Sequence, residues 1–242
     1  TARDGHGIFV DFAGPLGNPD QWVTVWYTYL EDNTPTWYYS QGTSPTAAGI
    51  WKAELFRVTW DGGATHAVDV GDVIITETGV QSMTFNFNVD GKSGFEPMVR
   101  VGGGSCPTFN GQALDASGHW YFPANDGNGM SAQLLPNTEV HAVYGYDMHG
   151  FPRWLIGQKA YDAAAQAVTL QQLEGFCPTC GLRPVASRSV GSLVRSLAAS
   201  SHTDGQPGLG SVSYQAQLAP PLAGSLSQYA PVYLLSARKG CQ

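Results

Sequence analysis

The sequence predicts an all-β protein made of two tandem antiparallel meander β-barrels that arose by internal duplication. One aromatic-rich window occurs twice, with Tyr27 and Tyr144 at an offset of 117 residues. Short segments of period two, separated by Gly, Asn and Asp, recur at intervals of about 8–12 residues, which is typical of a β-meander. With 43% hydrophobic and 13% charged residues, the chain has the composition of a folded rather than a disordered protein.

The repeat sets the predicted domain boundaries. Val23–Gln41 aligns without a gap to Val140–Gln158, and six of these 19 positions are identical. Repeats are sought first because a missed repeat leads to the wrong fold. The predicted organisation is a first barrel at residues 1–105, a linker at 106–117, and a second barrel at 118–242 that contains an insertion at 176–207.

In the first copy, alternating side chains predict a hairpin followed by further strands. Trp22–Tyr29 alternates bulky with β-favouring residues, Glu31–Pro35 has the composition of a turn, and Trp37–Tyr39 begins the return strand. Consecutive hairpins close readily into a barrel, and closure removes the unpaired edges of a sheet. We therefore expect a small up-and-down barrel, of the size found in calycins and avidins. The other strands predicted in this copy are Gly7–Phe12, Trp51–Trp60, Val73–Thr78, Gln81–Val89 and Phe95–Val101.

The second copy predicts the same order of strands and one added helix. Within the insertion, Val190, Leu193, Val194 and Leu197 follow the spacing i, i+3, i+4, i+7 of a helix face. We expect this short helix to cover one surface of the second barrel. The hairpin of this copy turns at Met148–Pro152, and the other predicted strands are Gly129–Leu134, Val168–Leu173, Gly210–Leu218 and Pro231–Ala237.

Four cysteines indicate two disulfides and an oxidising compartment. Cys177 and Cys180 are close enough in sequence for a short-loop disulfide, which leaves Cys106 to pair with Cys241, or Cys241 to link to another subunit. The chain begins without methionine or an apolar leader, as in a mature exported protein or a recombinant product. Secretion, either extracellular or periplasmic, is therefore predicted.

Charge and the length of apolar runs exclude two classes of partner. The net charge is -7, and no cluster of Lys and Arg could follow a phosphate backbone, so nucleic-acid binding is not expected. No apolar run approaches the ~20 residues that span a bilayer, so no membrane span is expected. The six histidines show no paired spacing, and no phosphate-binding or dinucleotide-binding glycine motif occurs. No metal or cofactor is predicted.

Four segments of the second copy form a distinctive pattern of aromatic, proline and glycine residues. They are Gly118-His-Trp-Tyr-Phe-Pro123, Gly127-Asn-Gly129, Tyr144-Gly-Tyr-Asp147 and Gly150-Phe-Pro-Arg-Trp154. This pattern resembles a tandem secreted bacterial β module of the type Gly-x-Trp-x-x-Pro, Gly-x-Gly, Trp-Tyr-Thr-Tyr-Asp, Gly-x-Pro-x-Trp. The first copy carries the middle of the pattern at Trp26–Tyr29 and Thr34–Trp37 but lacks the leading Trp-x-x-Pro segment. No activity is established for that family, so the resemblance implies compartment and architecture rather than function.

The aromatic residues of the two hairpins are the candidate ligand-binding residues. In a strand, Trp22 and Trp26 face one side, and Tyr27 and Tyr29 face the other. One interpretation is that one set fills the barrel core and the other covers the contact between the repeats. The other interpretation is a stacking platform for a glycan or an apolar small molecule, because Trp and Tyr combine apolar faces with a hydrogen-bonding edge. The candidates are Trp22, Trp26, Tyr27, Tyr29, Trp37, Tyr39, Tyr144, Tyr146 and Trp154.

Two repeated glycine segments are predicted to be structural turns rather than catalytic sites. Asp4-Gly5-His6-Gly7 matches Asp126-Gly127-Asn128-Gly129, so the carboxylate and the glycines recur and the imidazole does not. Asp bonds to nearby backbone in turns, and Gly permits a positive φ. A hydrolase or redox enzyme is a further hypothesis that depends on Asp4 with His6 and on Cys177 with Cys180. No catalytic residue is predicted.

The predicted function is that of a secreted, non-catalytic protein that binds a glycan or an apolar small molecule through its Trp/Tyr-rich face. The alternative is a structural subunit of an extracellular assembly or filament, because low charge and strands rich in Gly, Ser, Thr and Gln suit self-association. Since the first copy lacks the leading strand, we also expect that strand to come from the C-terminal tail or from a neighbouring subunit.

Overall fold

The computed structural model describes residues 4–13, 20–45, 49–101, 106–109, 112–162, 167–197 and 209–235. These residues form β-strands and no helix, and the two large sheets are antiparallel. The prediction of an all-β antiparallel fold is therefore confirmed. In this part of the chain no helix is long and apolar enough to cross a membrane.

The first sheet contains seven strands in the order of the chain. Each strand pairs with the next, and β1 and β7 are the outer strands of the described sheet. The predicted first barrel is therefore an open sheet in the described residues, which hold no strand between β1 and β7. The strands are β1 (Gly7–Ala13), β2 (Gln21–Tyr29), β3 (Pro35–Thr43), β4 (Ile50–Trp60), β5 (Thr65–Gly79), β6 (Ser82–Val89) and β7 (Lys92–Val99).

The second sheet contains eight strands and closes into a barrel. Closure occurs where Trp120 of the first strand lies opposite Leu234 of the last. A two-stranded hairpin, β8 (Thr108–Phe109) and β9 (Gln112–Ala113), lies in the predicted linker. The barrel strands are β10 (Gly118–Tyr121), β11 (Gly129–Leu134), β12 (Thr138–Tyr146), β13 (Pro152–Ala160), β14 (Val168–Glu174), β15 (Ala186–Leu197), β16 (Leu209–Gln217) and β17 (Ser225–Leu234).

The repeated sequence forms a repeated structure. The hairpins β2–β3 and β12–β13 consist of strands of nine residues each. Tyr27 lies opposite Trp37 in the first hairpin, and Tyr144 lies opposite Trp154 in the second. The register of the two hairpins is thus the same, as expected of two copies of one module.

The predicted helix is wrong, because its residues lie in strand β15. The pairing of β14 with β15 shifts register so that Val190 has no partner opposite it and forms a bulge. Beyond the bulge, Leu193, Arg195 and Leu197 are buried, while Val194 is 40% exposed. The sequence of β15 does not show the alternation of a strand for two reasons. Its inward position 195 is an arginine, and the bulge shifts Val190 out of the alternation.

The described residues form three hydrophobic clusters. The first packs against one face of the first sheet around Trp26 and Trp51, and the second fills the barrel around Trp120. The third lies between the two sheets and contains Tyr27 and Trp154. The two faces of β2 are therefore both buried, one in a core and one against the second module.

One of the two predicted disulfides is confirmed. Cys177 is bonded to Cys180 across a separation of three residues. Cys106 is also disulfide-bonded, and its predicted partner, Cys241, lies outside the described residues.

Candidate functional site

The two hairpins contact each other through a pair of equivalent hydrogen bonds. The indole Nε1 of Trp37 donates to the carbonyl oxygen of Gly145 at 3.2 Å, and Nε1 of Trp154 donates to that of Thr28 at 3.0 Å. Trp37 is equivalent to Trp154, and Thr28 to Gly145, under the repeat offset. The contact therefore has the self-complementary form of a two-fold interface, although it joins two halves of one chain.

The aromatic rings of this contact follow the same symmetry. Trp37 lies 5.2 Å from Tyr144 and 6.0 Å from Tyr146, measured between ring centroids. Trp154 lies 5.3 Å from Tyr27 and 5.9 Å from Tyr29. Burial raises the pKa of all four tyrosines above the ordinary value, so they remain neutral phenols. The contact is thus a desolvated, uncharged aromatic cluster.

The structure does not bring the nine candidate aromatic residues into one open surface. Trp26 is buried in the first sheet's core, with Trp22 half-buried beside it, and Tyr39 stacks on Phe56 at 5.5 Å. Of the nine, Tyr146 lines an open cleft. The others belong to the contact between the modules: Tyr27, Tyr29, Trp37, Tyr144 and Trp154.

Beside the hairpin contact are two equivalent corners, where the end of one module's strand meets the turn of the other module. The backbone N–H of Trp60 donates to the carbonyl oxygen of Gly150 at 2.9 Å. The backbone N–H of Gly175 donates to the carbonyl oxygen of Asn33 at 3.3 Å. Asn33 and Gly150 are equivalent in the repeat, and both have a positive φ, 69° and 78°. The same backbone contact is therefore made twice.

The corner at Gly175 is closed by the residue that follows it. Phe176 is 2% exposed, and its ring lies 4.7 Å from that of His6. His6 Nδ1 lies 3.0 Å from Thr28 Oγ1, and the Tyr29 hydroxyl donates to the carbonyl oxygen of Gly5 at 3.0 Å. The segment Asp4–Gly7 therefore packs against an aromatic side chain, with Asp4 exposed to solvent.

The two turn glycines are required by the tyrosines beneath them. Gly5 and Gly127 have φ values of 82° and 71°. A Cβ at either position would overlap a tyrosine hydroxyl, that of Tyr29 or that of Tyr146. The recurrence of glycine therefore reflects a conformational and steric need in both copies. The other members of these segments, Gly7, Asp126 and Gly129, lie at the start of β1, in the second turn and at the start of β11.

The corner at Trp60 is open and forms a cleft of about 510 Å³. The rings of Trp60 and Tyr146 are inclined by 23° with centroids 6.4 Å apart. The Tyr146 hydroxyl makes no hydrogen bond to the described residues, in contrast to that of Tyr29 in the closed corner. The cleft is lined by residues 60–62, Asn125, Asp126, Asn128, residues 146–150 and Gln228.

The cleft is polar and carries negative charge. Asn125 Nδ2 donates to Gln228 Oε1 at 2.9 Å, which holds two amide groups at the rim. Asp147 is neutralised by Arg153, whose Nε donates to Oδ2 at 2.7 Å. Hydrogen bonds from His66 and from backbone N–H groups hold the pKa of the exposed Asp61 well below its usual range. With Asp126, this leaves two exposed carboxylates at the cleft.

A second group of polar side chains lies inside the barrel. Glu139 Oε2 accepts a hydrogen bond from Arg195 Nε at 2.7 Å and lies 2.9 Å from His141 Nε2, while Lys159 Nζ lies 3.4 Å from Oε1. Burial alone would raise the pKa of Glu139, but the bonds from His141 and Arg195 outweigh it and lower the pKa. Burial lowers the pKa of His141. The described residues contain no group of three or more His, Cys, Asp or Glu arranged to hold a metal.

Comparisons with protein-family models, with characterised proteins and with solved structures find no match to this chain. Function is therefore inferred from the geometry of the two corners. The sequence interpretation missed Trp60, because its partners come from three distant segments. It also missed the Glu139–His141 pair, although the spacing of two residues places both side chains on one face of a strand.

Proposed function

We propose that this protein is an exported, non-catalytic binding protein that holds a neutral carbohydrate in the open cleft at Trp60. The observation that carries the proposal is a half-buried indole at the side of a polar cleft. A sugar ring stacks its C–H face on an aromatic ring, while its hydroxyls bond to amide and carboxylate groups. Asn125, Asn128 and Gln228 supply amide groups, and Asp126 supplies a carboxylate.

The lining favours a glycan over an apolar molecule. Filling the cleft with an apolar ligand would remove the amides and carboxylates from water without replacing their hydrogen bonds, which is unfavourable. The exposed charges of Asp61 and Asp126 disfavour an anionic ligand. A neutral, polyhydroxylated ligand satisfies both conditions.

A binding role rather than catalysis is supported by the state of Asp147. Its Oδ1 accepts hydrogen bonds from the backbone of His149 and Phe151, and its Oδ2 is bonded to Arg153. A carboxylate held in this way positions the turn that borders the cleft. Export is supported by the disulfide-bonded cysteines, which persist in oxidising compartments.

The test is titration calorimetry of the full chain against neutral oligosaccharides of glucose, xylose, mannose and N-acetylglucosamine. We expect saturable binding to at least one, weakened at least tenfold by Trp60→Ala and by Asn128→Ala. The control is Tyr121→Ala, a partly exposed ring that does not line the cleft. Absence of saturable binding across the panel, or equal affinity in Trp60→Ala, overturns the proposal.

A structural subunit of an extracellular assembly is the second candidate function. It is favoured by one observation, that β1 and β7 are the outer strands of an open seven-stranded sheet in the described part of the chain. An open edge offers backbone donors and acceptors to another strand.

A further inference from the structure

The outer surface of three neighbouring barrel strands carries no charged side chain. In β16, in β17 and in β15 beyond its bulge, alternate side chains are buried, such as Leu193, Val212 and Val232, so the side chains between them point away from the barrel. By contrast, the outward side chains of β4 include Lys52 and Glu54. Most of the outward residues of the three barrel strands are serine or glutamine, and together they form the polar strip: Ser192, Val194, Ser196, Ser211, Ser213, Gln215, Gln217, Ser225, Ser227, Tyr229, Pro231 and Tyr233.

The polar strip is continuous across the three strands and is longer than it is wide. In the register, Ser213 of β16 lies opposite Val194 of β15 and opposite Tyr229 of β17. Antiparallel strands rise roughly 3.4 Å per residue and lie about 4.8 Å apart, so the strip is about 27 Å long along β17 and about 10 Å wide. These proportions suit an extended chain better than a small molecule.

One aromatic ring lies near the middle of the polar strip. Tyr229 is 89% exposed, although tyrosine is a large and mainly apolar residue. It lies opposite Ser213, and Ser227 and Pro231 precede and follow it on the same face of β17. The strip thus presents one aromatic face surrounded by hydroxyl groups.

The polar strip begins beside the cleft. Gln228 lines the cleft and immediately precedes Tyr229 on β17. Met148 also lines the cleft and lies against Gly224, just before β17, where an added Cβ would be 3.2 Å from the Cβ of Met148. A chain held at Trp60 can therefore leave the cleft at the start of β17 and continue along the strip.

We propose that the ligand is an uncharged polysaccharide whose chain continues from the cleft along the polar strip and stacks one sugar ring on Tyr229. This inference rests on the carbohydrate function proposed for the cleft. Serine hydroxyls and glutamine amides can exchange hydrogen bonds with sugar hydroxyls, and no charge of the strip loses its water when a neutral chain covers it.

The composition of the polar strip disfavours two other kinds of partner. Anionic polymers are held largely by Lys and Arg, as the phosphate backbone of a nucleic acid is, and the strip has neither. The centres of protein–protein interfaces are depleted in serine, which is the commonest residue of the strip. A neutral, hydroxyl-rich chain remains the best match.

The test compares trisaccharides with long soluble polymers of glucose, xylose and mannose, using titration calorimetry and the full chain. We expect the polymer of the bound sugar to bind at least tenfold more tightly than its trisaccharide, with little dependence on salt. Tyr229→Ala should remove this gain without changing trisaccharide affinity. The matched control, Phe95→Ala, removes an exposed aromatic ring from the first sheet and should keep the gain.

The outcomes separate this inference from the function of the cleft. A polymer gain that persists in Tyr229→Ala, or Trp60-dependent trisaccharide binding with no gain for polymers, overturns the role of the strip alone. Polymer binding that requires Tyr229 but not Trp60 supports the strip and overturns the cleft function. Self-association that Tyr229→Ala abolishes, measured by sedimentation, would make the strip an interface between copies of this chain and also overturns the proposal.

Discussion

Glu139, His141 and Arg195 meet inside the barrel, although 56 residues separate Glu139 from Arg195. A buried charge is tolerated when an opposite charge and hydrogen bonds compensate for the lost water. Here the carboxylate of Glu139 lies within ion-pair distance of Arg195, His141 and Lys159. His141 Nδ1 has no hydrogen-bond partner among the described residues, so a second proton on this ring would be buried without an acceptor.

This arrangement makes stability depend on pH through His141. Burial lowers the pKa of His141 below its ordinary value of 6.5, so the unfolded chain binds the proton first as the pH falls. The unfolded state then binds more protons, and stability decreases as the pH drops below about 6.5. The lowered pKa of Glu139 acts in the same direction at more acidic pH, below its ordinary 4.5.

We expect the melting temperature to fall between pH 7.5 and pH 5.5, and to fall less in His141→Gln. The matched control is His149→Gln, an exposed histidine, which should keep the full decrease. Differential scanning calorimetry at the two pH values measures both. An equal decrease in His141→Gln and the wild type would contradict the role assigned to this residue.

At the scale of elements, the hairpins β2–β3 and β12–β13 each present one face to a core and the other to each other. Each hairpin contributes one tryptophan whose indole N–H donates to a backbone carbonyl oxygen of the other hairpin. Each hairpin also contributes a pair of tyrosines whose rings pack against the indole of the other hairpin. Because both faces are buried, a substitution on either face affects packing. The aromatic residues of these hairpins therefore pack in the core of the first sheet and in the contact between the modules.

Trp37→Ala and Trp154→Ala should each lower the free energy of unfolding by about 3–5 kcal/mol, the usual cost of truncating a buried aromatic residue. The two losses should be similar, because the residues are equivalent, and non-additive in the double variant, because they share one cluster. Denaturant unfolding measures them. Tyr229→Ala, a residue that is 89% exposed, serves as the control and should change stability by less than about 0.5 kcal/mol. Changes below about 1 kcal/mol in both tryptophan variants would contradict the interpretation.

At the scale of the whole molecule, duplication is followed by divergence at two places. The corner at Gly175 is filled by Phe176 and bordered by the Cys177–Cys180 loop, whereas the corner at Trp60 is left as a cleft. Similarly, the second module has eight strands and closes, while the described first module has seven. At the corners, one copy is filled by an aromatic side chain and the other is left open.

This divergence predicts different effects of two aromatic truncations. Phe176→Ala empties a buried corner and should cost about 3–5 kcal/mol of unfolding free energy without weakening carbohydrate binding. Trp60→Ala removes a half-buried ring and should cost less stability while weakening binding. Urea unfolding combined with titration calorimetry separates the two effects. Weaker carbohydrate binding in Phe176→Ala and unchanged binding in Trp60→Ala would contradict the assignment of the binding site to the corner at Trp60.

Features that depend on near neighbours in the chain could be predicted from the sequence. Alternation along β2 predicted that Trp26 and Tyr27 face opposite sides, and short spacing predicted the Cys177–Cys180 disulfide. The offset of 117 residues predicted two hairpins of equal register. Period, turn composition and loop length are local properties, and they are sufficient to specify strands and hairpins.

Features that depend on residues far apart in the chain required the folded structure. The bulge at Val190 depends on how β15 meets β14, so its spacing imitated a helix. The cleft at Trp60 unites segments near residues 60, 125, 148 and 228, and no local pattern connects them. Whether an aromatic face meets ligand or protein depends on what packs against it, and Tyr27 has the same alternation in either case. Local periodicity fixes which way a side chain points, but the packing of whole modules decides what it meets.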